Sequence, residues 1–295
     1  MEIKRNSPRA WLLAARPKTL TAAAIPIIAA VALAAHDGVL HPVVSLLCLL
    51  FACGMQVAAN FINDLYDFLR GTDREDRLGP ERACQQGWIS SRAMKWGIGI
   101  TIALSCVAGL GVLALARLPY GGWELVALGA VCVVFAFLYT TRLSYSGWGD
   151  VLVVVFFGFV PVCGTYYVQC PALTWDVAIT SLCCGLLIDT LLMVNNYRDR
   201  EQDRLSGKRT LVVRLGEQFG HYAYLVLGIA ATALALWFAD SWDVALPLLY
   251  LVLHIRTWQR MVSIGKGKKL NSILGETSRN MLFMGVMLVG TILLP

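Results

Sequence analysis

Residues 186–210 read LLIDTLLMVNNYRDREQDRLSGKRT. An apolar run of membrane type passes into two asparagines and then into alternating acids and bases. Asp199 and Asp203 stand i and i+4, so a helix places both carboxylates on one face. Unpaired, they repel each other, and a bound cation reverses that repulsion. With about 100° per residue and Asp189 as zero, Asn196 falls at roughly −20°, Asp203 at −40°, Asp199 at −80° and Asn195 at −120°.

A second stretch repeats the design. Residues 56–73, QVAANFINDLYDFLRGTD, place Gln56, Asn63, Asp64 and Asp67 within roughly 60° of Asn60 on a helix wheel, and Asp73 follows from the loop. Solvated helix ends with Asp paired to neighbouring Arg account for Asp76, Glu81 and Glu201. They do not account for Asn60 and Gln56, which lie a turn or more inside an apolar segment, where polar groups are costly and point to function. Carboxylate and amide oxygens are hard donors suited to Mg²⁺, which takes one or two protein carboxylates and bridges to substrate phosphates. Arg82, Arg198, Lys208 and Arg209 are expected to neutralise phosphate oxygens. No GxxxxGK[ST] stretch is present, so this is not a P-loop site.

The rest of the chain sets these two stretches in a bilayer. Of 295 residues 57% are hydrophobic and only 15% charged, against about 25% charged in soluble domains. One soluble core could not bury that much apolar surface. Spans of about 20 apolar residues are expected at roughly 18–35, 43–67, 92–116, 122–141, 150–169, 176–199, 220–239, 243–262 and 275–295, the eighth being the weakest. The chain is thus expected to be a single all-α polytopic transmembrane domain over residues 1–295. Of its 25 Lys and Arg, 24 fall in gaps on one side and only Arg117 on the other. The positive-inside rule then makes the N-terminus cytoplasmic and the C-terminus external, with an odd number of spans. Basic residues so placed read as topology and exclude nucleic acid as the partner. The first twenty residues lack the pattern of a cleaved signal peptide. The nine cysteines form no CxxC pair and read as small buried hydrophobes.

Asp76-Arg77-Leu78 with Arg82-Ala83, and Asp203-Arg204-Leu205 with Arg209-Thr210, hint that helices 1–4 and 5–8 are related halves whose sites meet at an internal interface.

The pattern Asn63-x3-Asp67-x5-Asp73 with Asn195-Asn196-x-Arg198-Asp199-x3-Asp203 resembles the UbiA superfamily of intramembrane aromatic prenyltransferases. Supporting stretches are residues 16–35 (RPKTLTAAAIPIIAAVALAA), 138–169 (LYTTRLSYSGWGDVLVVVFFGFVPVCGTYYVQ) and 195–216 (NNYRDREQDRLSGKRTLVVRLG). The family's usual first motif is NDxxDxxxD. Here the third carboxylate stands six beyond Asp67, a spacing like that of the branch acting on 1,4-dihydroxy-2-naphthoate. The resemblance implies about nine helices around a central cavity in a bacterial inner membrane, with two related four-helix halves and a ninth helix. It implies Mg²⁺ held by Asp64, Asp67, Asp73, Asp199 and Asp203, and a polyprenyl diphosphate bound with help from Asn60, Asn63, Asn195 and Asn196. It implies Tyr139 beside the developing allylic cation, with Arg142 as the family's basic loop residue. The product would be demethylmenaquinone, with loss of CO₂ and diphosphate. Asp189, deeper in its helix, is expected to hydrogen-bond a polar group in the cavity. Two rivals are another aromatic acceptor such as 4-hydroxybenzoate, and a cation-coupled transporter with helices broken near Pro26, Gly158 and Pro161.

Overall fold

The computed structural model describes residues 3–71, 77–116, 118 and 122–294, and among these every regular element is helical. Helix α1 (Pro8–Ala15) starts at Ser7, whose hydroxyl accepts the Ala10 N–H, and stops at Arg16 in a left-handed conformation (φ 51°). A 3₁₀ turn, Pro17–Thr19, then leads into α2 (Leu20–His36). Six alanines of α2 are buried over most of its circumference, leaving the face of Ile28 open. Their small side chains let α3 (Pro42–Arg70), α6 (Gly149–Tyr167), α7 (Trp175–Leu205) and α11 (Leu270–Leu293) approach it closely. Pro26 lies inside α2 without interrupting it.

Helices α3 (Pro42–Arg70) and α7 (Trp175–Leu205) have 29 and 31 residues. At ~1.5 Å per residue both exceed the ~30 Å hydrocarbon thickness by several turns, so their acidic C-terminal turns stand beyond the apolar layer. Helix α3 packs most broadly on α4 (Ser91–Leu115) and also on α5 (Trp123–Thr141). Helix α7 packs on α9 (Glu217–Ala235), the pairing expected of related halves, and α8 (Leu211–Leu215) connects them. Helices α10 (Ala245–Ile264) and α11 (Leu270–Leu293) pair, and α11 returns to α2, closing the bundle.

Helix α6 (Gly149–Tyr167) contains one π turn, Val155–Phe159. It lies directly on α7: a Cβ on Gly158 would sit 2.4 Å from the Ser181 carbonyl, and one on Gly185 would sit 2.9 Å from the Val154 Cα. The chain does not unwind at Gly158 and Pro161, as the transporter reading required. The strain becomes one wide turn, a device frequent at functional sites.

Helix stands at all nine expected places among the described residues, but only six helices are long and apolar enough to cross a bilayer on length and composition. Helices α10 and α11 fall short, and α5 counts as a shorter apolar helix over Trp123–Tyr139. In α10, the weak eighth span, His254 and Thr257 turn inward while Arg256, Gln259 and Arg260 are exposed. His254 bonds the Tyr224 carbonyl at 3.0 Å, and Asn280 of α11 donates to the Thr257 hydroxyl at 2.9 Å. Trp123, Trp175, Trp237 and Trp242 are exposed at helix ends on the side away from the acidic turns, where an aromatic belt meets the bilayer surface.

Candidate active site

The acidic end of α3 is tied to the loop that follows it. Arg82, buried, donates to Asp67 at 2.9 Å. On α7, Arg198 grips Asp199 with two parallel bonds, Nε to Oδ1 at 2.7 Å and Nη2 to Oδ2 at 2.6 Å, the strong fork geometry of guanidinium and carboxylate. Lys208 lies 3.6 Å from Asp203. Each carboxylate of the pattern that can be placed therefore has a cation beside it.

The two ends form one rim. Lys208 also acts through its charge on Asp67 and Asp150. Arg198 donates through Nη1 to Asn271 Oδ1 at 2.8 Å, and Asn271 Nδ2 donates to the Leu78 carbonyl at 2.8 Å. Asn271, at the start of α11, thus clasps the loop after α3 to the second acidic helix. That loop is pressed close, since a Cβ on Gly79 would lie 3.1 Å from Arg198 Nη2. From the other side, the turn Leu143–Tyr145 docks on the segment after α7: the Arg209 N–H donates to the Tyr145 carbonyl at 3.0 Å and Arg214 to the Ser146 carbonyl at 2.7 Å. Gly147 (φ 84°) permits this approach, because a Cβ there would meet the Arg209 carbonyl at 2.8 Å.

Beneath the rim lies a cavity of about 710 Å³ walled by α2 to α7, mostly by Ala, Leu, Val and Phe. Its polar lining residues include Thr19, Gln56, Asn63, Tyr139 and Asn195. An elongated apolar ligand with a polar, anionic head matches this combination.

The placement of the sequence candidates divides them. Asn63, Asn195 and Tyr139 line the cavity; Asp67, Arg82, Arg198, Asp199, Asp203 and Lys208 stand at the rim. Asn196 and Lys208 line a small pocket beside it. Asp64 stands apart from the rim carboxylates. Its two oxygens accept the Ala83 and Cys84 N–H groups, each at 2.9 Å, and it is fully buried. It caps the turn that carries Arg82. Asn60 stands apart as well: its amide donates to the Ala15 carbonyl and the Thr19 hydroxyl, both at 2.9 Å, bracing the elbow between α1 and α2. Arg142 is exposed at the end of α5, and Arg209 serves the rim through its backbone. Asp189 is buried beside the cavity wall and does not line it. Asp73 lies outside the described residues.

Three residues at the site were not anticipated: Asn271, Asp150 and Arg70, which donates to the Thr141 carbonyl at 2.6 Å and sits over the Tyr145 ring. Asp150 had a signal, an acid opening an apolar helix. Asn271 had none, since its partners lie far away in sequence.

Among the described residues no three His, Cys, Asp or Glu side chains converge as a metal cluster. The donors nevertheless suit a hard divalent cation shared with phosphate. They are all oxygen, they come from two facing helices, and Asp203 Oδ2 is buried without a hydrogen-bond partner among the described residues. Mg²⁺ needs only one or two such carboxylates.

Comparisons with known proteins show the family and the fold. The model of the UbiA prenyltransferase family matches residues 23–273. The 1,4-dihydroxy-2-naphthoate octaprenyltransferase of Escherichia coli (strain K12) is 39% identical over 75% of this chain and 73% of its own length. That of Mycobacterium leprae (strain TN) is 34% identical over 96% of both chains. A UbiA homolog from Aeropyrum pernix K1 superposes with a TM-score of 0.69 at 16% identity, covering 92% of this chain and 97% of that one. A UbiA homolog from Archaeoglobus fulgidus bound to GPP and Mg2+ gives 0.65 at 15% identity over 95% and 99%. The chain is an integral membrane protein and belongs to the UbiA prenyltransferase family.

Proposed function

We propose that this prenyltransferase moves the prenyl group of a polyprenyl diphosphate onto 1,4-dihydroxy-2-naphthoate. CO₂ and diphosphate are released and demethylmenaquinol, the reduced form of demethylmenaquinone, is formed for menaquinone biosynthesis. The observation that carries the reading is a single rim of two acidic helix ends, joined through Arg198 and Asn271, over a large apolar cavity. The acceptor is the one printed for the Escherichia coli and Mycobacterium leprae relatives.

Asp67, Asp199 and Asp203, with Asn63 and Asn195 and with Asp73 from the loop, would hold Mg²⁺. When bound, that ion supplies Lewis-acid neutralisation of the diphosphate leaving group. Arg82, Arg198 and Lys208, now paired with carboxylates, are the cations available to phosphate oxygens, and Arg209 stands at the same rim. The cavity wall takes the isoprenoid chain and excludes water, which would otherwise consume an allylic cation. Tyr139 presents an aromatic face where positive charge develops. The rim faces the cytoplasm of a bacterial inner membrane, by the positive-inside bias.

The test is product mass analysis from purified protein given 1,4-dihydroxy-2-naphthoate, Mg²⁺ and mixed prenyl diphosphates. A prenylated, decarboxylated naphthoquinol is expected. Product only with 4-hydroxybenzoate would reassign the acceptor, and cation flux without diphosphate release would reject the enzyme reading.

A further inference from the structure

Beside the main cavity, and sharing Tyr139 and Leu192 with it, lies a second, very small pocket of about 10 Å³. Its polar walls are Tyr139, Ser144, Asp150, Asn196, Lys208 and Thr210. The volume is that of roughly one water-sized group, too small for a carboxylate or a phosphate. Asp150 opens α6 and is 7% exposed. Beyond its own backbone amide, neither carboxylate oxygen has a hydrogen-bond partner among the described residues. A buried carboxylate without donors is costly, so this wall calls for an O–H or N–H group. Lys208 already supplies a cation to the pocket, which leaves a neutral donor as the complement. Gly149 lines the pocket, and a Cβ there would only reach ordinary contact with Leu192 and the Tyr139 hydroxyl. Asp189 lies near enough to repel the Asp150 charge, and its own Oδ1 is buried without a hydrogen-bond partner among the described residues.

We propose that this pocket is a hydroxyl subsite for the aromatic acceptor, in which one ring O–H donates to Asp150 while the ring lies against Tyr139 at the mouth of the prenyl cavity. This rests on the acceptor reading above. The hydrogen bond orients the ring. It also stabilises the positive charge that reaches the hydroxyl oxygen as the ring gives an electron pair to the prenyl carbon and the allylic C–O pair departs with diphosphate. Asp150 is thus an acceptor-binding residue, in a pocket that shares Lys208 with the rim that takes the diphosphate.

The experiment uses the full chain in detergent, wild type and Asp150→Asn, with 1,4-dihydroxy-2-naphthoate, 1-hydroxy-2-naphthoate and 4-hydroxy-2-naphthoate as probes. Equilibrium binding by fluorescence is measured alongside KM and kcat. The wild type is expected to bind one of the two monohydroxy probes about tenfold or more less tightly than the parent. Asp150→Asn is expected to weaken the parent by a similar factor, to lose that discrimination, and to keep its affinity for prenyl diphosphate. Equal wild-type binding of all three probes overturns the subsite without reference to any variant. Unchanged acceptor affinity in Asp150→Asn overturns it in favour of a bound water, and lost prenyl diphosphate affinity overturns it in favour of the diphosphate site. If the wild type turns over dihydroxynaphthoate yet shows no discrimination, only the subsite fails. If it forms no product with dihydroxynaphthoate, the proposed function fails and the subsite with it.

Discussion

Asp64 and Asp67 stand one turn apart on α3 and carry different burdens. Asp67 shares its charge with Arg82 at the rim, and its exchange for Asn keeps the shape while removing the charge that would hold a cation. Asp67→Asn and Asp199→Asn are each expected to cut turnover at least about a hundredfold, since Lewis-acid stabilisation is worth several kcal/mol. Both variants should still elute as folded protein in detergent. Near-normal rates at limiting Mg²⁺ would refute the role. Asp64 instead accepts two buried backbone N–H groups. Asp64→Ala strands both, at about 1–3 kcal/mol each, so its melting temperature should fall clearly. An unchanged melting curve would contradict the capping role. The helix wheel put both aspartates on one stripe and could not separate them, because the Ala83 and Cys84 amides that claim Asp64 arrive from a loop whose path no periodicity encodes. Asn60 was illegible for the same reason: its partners, Ala15 and Thr19, belong to a non-helical elbow.

At the scale of elements, α7 is one unbroken helix from Trp175 to Leu205, as its apolar periodicity required. Asp189 therefore lies about 21 Å below Asp203 along the axis and cannot share a metal with it. Asp189→Asn is expected to leave Mg²⁺ dependence and prenyl diphosphate affinity intact while changing acceptor use or thermal stability. Lost prenyl diphosphate binding with acceptor binding preserved would contradict that placement. The clasp at Asn271 was illegible by contrast, because it joins α11 to Leu78 and Arg198 across most of the chain. Asn271→Ala should weaken prenyl diphosphate binding by about tenfold, through loss of two hydrogen bonds that hold the rim together. An unaltered dissociation constant would show that the loop needs no clasp. The π turn of α6 was legible only in part. Gly158 and Pro161 marked an irregularity, and its form depends on the Gly185 surface of α7.

For the whole molecule, charge and hydropathy carry different amounts of information. Length and composition single out six helices that could cross a bilayer, and six crossings would return the chain to the side where it began. The asymmetry of 24 basic residues against Arg117 survives only if α5 and α10 also cross; no Lys or Arg follows Arg279, so the crossing of α11 rests on its 24 residues. The shortfall of α10 and α11 comes mostly from the exposed Arg256, Gln259, Arg260 and Arg279 and from Glu276, paired with Arg260, towards the loop between the two helices, while His254, Thr257, Thr277 and Asn280 face one another inside the bundle. A window average counts those inward groups as though lipid touched them. Nine crossings then place the end of α11 opposite the catalytic rim, and the rim in the cytoplasm. A reporter that is active only outside the cytoplasm, fused after α11 or in the loop between α4 and α5, should be active. The same reporter in the segment between α7 and α9, or between α10 and α11, should be silent. A silent fusion after α11 together with an active one between α4 and α5 would show an even number of crossings and would remove α10 or α11 as a span.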